Sequence, residues 1–262
     1  MLRYLRLLSI QMRASALLAL QYRYDFLIDG VITSLYPITA VVPLFVVFQD
    51  RTQVAGWTLP EMLVLIGWFT LLEAIIEGAI SPSLMSVVEH IRKGTLDFVL
   101  LKPADAQFLV STARFQPTRI TNGFLALGVI AYAFSRMGRA PAPLHVATAL
   151  LLLVTATVLL YSLWILTISA AFYVVKVDNL AHLFSSLFDA ARWPISVFRG
   201  VVRFIFVFVI PLALMTTYPS LAMLGKLSGG VLVLSVAGAL VFATVARLIW
   251  LRSISRYTSA SS

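Results

Sequence analysis

The chain has 262 residues, 60% of them hydrophobic and only 12% charged, with a mean hydropathy of +0.95. A soluble domain carries roughly a quarter charged residues, so the composition excludes an ordinary soluble fold and leaves a membrane-embedded chain without a separate soluble domain. The net charge of +9 fits basic residues held in loops and at lipid headgroups rather than nucleic-acid binding. The lack of cysteine excludes disulfides and thiol-based metal or redox sites. His90, His145 and His182 are far apart in sequence and suggest no metal centre.

The N-terminal segment, residues 1–24, reads as a basic amphipathic helix. Leu5, Leu8 and Met12 fall on one face and Arg3, Arg6 and Arg13 on the other, the pattern of a helix lying in the membrane interface. A plain extension of the first crossing is the simpler alternative. Arg3, Arg6, Arg13 and Arg23 are spread through this segment without a compact apolar core or a cleavage site, which predicts a retained, cytosolic N-terminus.

A spanning helix needs about 20 mostly apolar residues. Candidates follow at 26–48, 59–80, 117–135, 145–174 and 229–250. The second opens on Thr58-Leu-Pro-Glu61, a capping-box spacing with Pro in the first turn. Residues 179–224 are apolar but interrupted by Asp189, Arg192, Pro194, Arg199, Arg203, Pro211 and Pro219. They predict a fifth crossing over 179–197 and a re-entrant or interfacial pair over 198–222. The alternative makes 180–203 a cytosolic amphipathic helix and 203–218 the fifth crossing. The fold class predicted is an all-α polytopic membrane protein: a single transmembrane domain, 1–262, with six transmembrane helices.

Six crossings put both termini on one side. Arg3, Arg6, Arg13, Arg23, Arg92, Lys93, Lys102, Arg114, Arg119, Lys176, Arg247, Arg252 and Arg256 then share that side. They are thirteen of the twenty basic residues, which predicts that it is cytosolic.

Between the second and third crossings lies 83–105. Leu84, Val87, Val88 and Ile91 form one apolar helical face, with Ser86, Glu89 and Lys93 pointing elsewhere. Arg92 and Lys93 occupy the last turn, where cations meet the negative helix end. Gly94 supplies the C-cap, and Thr95 is expected to cap a second short helix with Asp97 in its first turn. Lys102-Pro103 ends that helix. The loop is therefore a structured helix–Gly–helix element. It is either a docking surface for a cytosolic partner or a surface loop that orients its neighbours.

The run Ile91-Arg-Lys-Gly-Thr-Leu-Asp-Phe-Val-Leu-Leu-Lys-Pro103 resembles the cytosolic loop of type-2 ABC exporter permeases, with its I-x-x-G-x-L-D-x-x-L-x-x-P signature. Trp193-Pro-Ile-Ser-Val-Phe198, Phe208-Val-Ile-Pro-Leu-Ala213 and Tyr218-Pro219 are similar to motifs of the short six-helix bacterial branch, although Trp193 stands where Tyr is usual. The likeness covers nearly the whole chain in order and spacing. It implies a permease of the bacterial cytoplasmic membrane working by alternating access, paired with a second permease subunit, either a copy or a paralogue. A separate cytosolic ATPase dimer would use ATP and Mg, and this chain would bind no cofactor of its own. The resemblance makes Glu89, Arg92, Lys93, Gly94, Asp97 and Pro103 the ATPase-coupling residues, with the N-terminal helix beside them and the re-entrant segment closing the outer side.

No phosphate loop occurs: Gly225-Lys226-Leu227 lacks the hydroxyl residue and the earlier Gly. Glu73 and Glu77, one turn apart on the second crossing, are candidate translocation or gating residues, as are Pro194 and Pro211. The plainer reading places the two glutamates near the cytosolic end, hydrated or paired with a cation of the N-terminal helix. They would also serve an ion-coupled secondary transporter, the alternative function; a non-transporting assembly factor is a third. Asp29 is expected to pair with a basic residue, and Asp189 with Arg192 across one turn. Trp57, Trp193 and Trp250 suggest interface anchors, and Trp68 and Trp164 suggest packing. No substrate is legible.

Overall fold

The computed structural model describes residues 2–173 and 186–257. Every regular element among them is helical. Among them are α1 (Leu2–Gln21), α2 (Arg23–Val47), α3 (Leu59–Ile75), α4 (Ser81–Arg92), α5 (Asp97–Leu100), α6 (Ala106–Ser111), α7 (Ile120–Met137), α8 (Pro143–Ser169), α9 (Gly200–Phe204), α10 (Tyr218–Met223) and α11 (Gly229–Ser255). Five stretches are long and apolar enough to span a bilayer: Tyr24–Val47, Leu59–Arg92, Pro117–Met137, Pro143–Phe172 and Gly229–Ser255. A sixth arises if the pair Gly200–Phe208 and Ala213–Met223, bent by 67°, counts as one span.

The second stretch differs from its predicted end. The helix does not stop at residue 80 but continues to Arg92 through a π-helical turn, Ile76–Ile80. Its 34 residues would extend about 51 Å at 1.5 Å each, against a hydrocarbon core of roughly 30 Å. One end of it must therefore leave the lipid. The start is as predicted: the Glu61 carboxylate accepts the Thr58 backbone N–H at 3.0 Å, and Lys226 reaches the same carboxylate from the chain ahead of α11.

α3 packs along α7, and α8 along α10 and α11. Hydrophobic burial gains little against lipid, so close contact between helices must come from small residues. At Gly67 even a Cβ would lie 2.4 Å from Ile130. The interior joins Phe69, Leu72, Leu84, Val87, Leu160 and Trp164 to Trp250 of α11. Trp57 and Trp250 are buried, 6% and 1% exposed. They pack inside the protein and are not the lipid-interface anchors their positions suggested. Trp193 is half-buried; Trp68 and Trp164 pack inside.

In the predicted fifth crossing, residues 179–185 lie outside the described residues, as do Lys176 and His182. Its remainder is not one continuous helix. Ala190–Arg192 and Ile195–Val197 are separate 3-10 turns divided by the extended residues Trp193 and Pro194. The hydroxyls of Thr216 and Thr217 brace them, one donating to the Ala191 carbonyl at 2.7 Å and the other accepting from the Ile195 N–H at 3.2 Å.

Candidate functional site

At one end of the bundle the chain builds a small platform from α4, α5 and α6. Leu84, Val87 and Val88 bury the predicted face of α4, with Ile91 half-buried beside them. Ser86 does not point away as expected: it is 5% exposed and donates to the Ser83 carbonyl. Glu89 and Lys93 do face out and pair at 2.6 Å, and Arg92 is exposed.

α4 ends at Gly94, whose φ of +66° lies in the left-handed region that suits glycine. Gly94 N–H donates to the Ile91 carbonyl at 3.2 Å and Thr95 N–H to His90 at 2.9 Å, the two bonds of a Schellman motif. Thr95 does not cap α5. Its hydroxyl meets the His90 ring at 2.7 Å, and Leu96 occupies the cap position. The chain turns tightly enough that Thr95 closes the helix behind it rather than opening the one ahead.

Beyond Pro103, Asp105 caps α6 by accepting the Phe108 N–H at 3.0 Å. Its other bonds reach 142 residues along the chain: Arg247 Nη2 donates to Oδ2 at 2.6 Å and Nη1 to Oδ1 at 3.3 Å. Arg247 also donates to Gln107 at 2.7 Å. Gln107 in turn donates to the Tyr161 hydroxyl at 2.9 Å, which meets Ser111 at 2.7 Å. Burial pushes the Asp105 carboxyl up, but the Arg247 and backbone bonds outweigh it and hold the group below its ordinary value. Tyr257, just past α11, has its phenol raised by burial and by the Asp97 carboxylate. The platform is thereby fastened to α8 and α11.

The N-terminal helix lies against the same platform. Arg3 donates to the Pro103 carbonyl, Tyr4 accepts the Asp105 N–H at 3.2 Å, and Gln11 accepts the Thr112 hydroxyl at 2.6 Å. Leu8 is half-buried, whereas Leu5 and Met12 are 56% and 51% exposed. The helix thus has a third, polar face that the two-face reading missed, and it is the one held by the protein. Arg6 and Arg13 are exposed.

Within the second stretch, the π turn and the helix just before it set Glu77 and Glu73 toward a cavity of about 260 Å³, lined also by Tyr36, Trp164, Asp189 and Arg192. Arg192 is the main cation acting on Glu73 and Arg119 the one acting on Glu77. Neither comes from α1, so the expected partner there is replaced. Arg192 pairs with Asp189 at 2.9 Å, as spacing predicted, and its guanidinium lies 5.0 Å from the Phe69 ring centre. The pair is partly exposed rather than buried. The π turn's Gly78 carbonyl accepts the Gln116 N–H at 2.8 Å. Asp29 pairs with no cation among the described residues; it accepts from Thr118 at 2.7 Å and Gln116 at 3.5 Å. Pro194 and Pro211 are not gathered with the glutamates. Pro194 opens the turn braced by Thr217, and Pro211 sits at the break of the bent pair, against a different cavity.

Asp105, Gln107, Tyr161, Arg247 and Tyr4 were not singled out from the sequence as site residues. Asp105 alone carried a local signal, as an N-cap ahead of an apolar run.

These features define a multi-pass membrane protein with a helical platform at one end. The chain belongs to the ABC-2 transporter family: the model described as ABC-2 family transporter protein matches residues 34–261. Comparison with curated proteins and with solved structures returns no significant match. Permeases of this family generally work with ATPase subunits and typically bind no cofactor.

Proposed function

We propose that this chain is the transmembrane subunit of an ATP-driven exporter, with the platform of 83–105 receiving the movement of a separate cytosolic ATPase dimer. The observation that carries this reading is the Asp105–Arg247 junction. A force applied at α5 or α6 reaches α11 through two charge-assisted bonds, reaches α8 through Gln107 and Tyr161, and reaches α1 through Arg3 and Tyr4. Charge-assisted bonds are stronger than neutral ones. Glu89, Arg92, Lys93, Gly94, Asp97 and Pro103 form or shape the face the ATPase would meet. The platform is then cytosolic, as the basic residues of 92–119 favour, and both termini lie on that side. The bent pair Gly200–Phe208 and Ala213–Met223 would close the outer side. A second permease subunit completes the path, and Glu73 and Glu77 border it.

The test uses Gly94→Pro and Asp97→Lys in the assembled transporter. Both should insert normally yet lose transport-linked stimulation of ATP hydrolysis. Normal coupled transport in both variants would overturn the docking role.

A further inference from the structure

A second groove lies elsewhere, between α1, α3 with its π turn, and α7. It measures about 530 Å³. Met12 and Ala16 form one wall, Ala74 and Ile75 another, and Gly123 and Phe124 the third. The rim residues Met12 and Phe124 are 51% and 70% exposed. Two walls belong to membrane-spanning stretches and the third to an amphipathic helix, so the groove faces the lipid near the membrane surface.

Its lining is apolar save for Gln116 and Arg119. Arg119 is half-buried, and its Nε is buried without a hydrogen-bond partner. A guanidinium only donates and stays charged. Glu77 acts on that charge from the neighbouring turn but forms no ion pair with it within 4 Å. An apolar channel with the cationic Arg119 side chain among its lining residues complements an amphiphile with an anionic head and an apolar tail.

We infer that this groove binds a membrane phospholipid, one acyl chain lying along the Gly123 wall and the phosphate meeting Arg119. This site is independent of the ATPase reading, since it needs only the membrane setting.

Gly123 offers a clean test. A Cβ added there meets nothing within 4 Å, so the side chain of Gly123→Leu starts into open space at the groove wall, and Leu favours the helix over Gly. Gly128, equally open but outside the groove, is the control. The full-length protein in detergent is titrated with phosphatidylglycerol, and separately with phosphatidylcholine. Retained lipid is read by native mass spectrometry, and thermal stability in parallel. The wild type and Gly128→Leu should retain phospholipid and gain stability, more so with the anionic lipid. Gly123→Leu should lose the bound lipid and the shift. Arg119→Gln should keep lipid mass but lose the anionic preference. Equal retention by Gly123→Leu, or adducts of detergent alone, would overturn the site. So would a loss of dimer instead of lipid, which would make the groove a subunit contact. An unchanged anionic preference in Arg119→Gln would overturn the phosphate assignment.

Discussion

At the platform, Asp105 and Arg247 share two bonds, with Gln107, Phe108 and Tyr161 taking up further donors and acceptors. In the second membrane-spanning stretch, Glu73 and Glu77 face Arg192 and Arg119 with no direct ion pair to either glutamate among the described residues. Both clusters use carboxylates and guanidiniums. The first leaves few groups unmet and behaves as a strut. The second leaves room, and ionisable groups within a membrane-spanning stretch are expensive to keep. The contrast separates a part tied together by direct bonds from a part whose carboxylates border a cavity without such ties.

The comparison is broken most severely at the joint of the platform. Gly94→Pro removes the N–H that bonds Ile91 and cannot reach φ +66°, which should cost of order 3 kcal/mol or more locally. Hydrogen exchange over 89–101 should rise sharply, with transport lost. Arg247→Ala comes next. It strands Asp105 and Gln107 at a partly exposed site, costing about 1–2 kcal/mol. Exchange should rise at both α6 and the end of α11. If only α11 responds, the two are not mechanically joined.

Acid tests the same strut more gently. Because the fold holds the Asp105 carboxyl below its ordinary value, its contribution is present above the ordinary aspartate range and fades as pH falls through the depressed value. Protection of α6 should therefore weaken in that acid window in the wild type, and less so in Asp105→Asn.

For the cavity, the double variant Glu73→Gln/Glu77→Gln should fold and insert normally, since it removes charges without breaking an ion pair. Transport should fall while binding of the ATPase stays unchanged. The smallest effect is expected at Lys93→Ala. Its pair with Glu89 is exposed to solvent, and exposed ion pairs contribute little, so thermal stability should barely move. A large loss of coupling at unchanged stability would mark Lys93 as a contact of the ATPase.

Much of the helix layout was legible because spanning length and apolar content are local properties. The five long stretches, the Glu61 cap, the Gly94 turn and the Asp189–Arg192 pair all follow from residues near one another. The path of 179–222 was harder. Its Pro residues and charges interrupt the pattern without saying which way the chain bends. Thr95 was misassigned because a hydroxyl beside Gly94 can close one helix or open the next, and only the position of the His90 ring distinguishes them. Trp57 and Trp250 misled because an indole near a helix end suits either a lipid interface or a protein interior.

The sequence by itself determined the membrane setting, the long helices and the hinge between α4 and α5, since hydropathy, periodicity and a left-handed glycine act over a few residues. Only the tertiary structure decided what the platform is fastened to and where the glutamates look. Arg247 lies 142 residues from Asp105, Tyr4 and Arg3 about as far from the platform as one hundred residues, and no local pattern records which distant side chain will satisfy a half-buried charge.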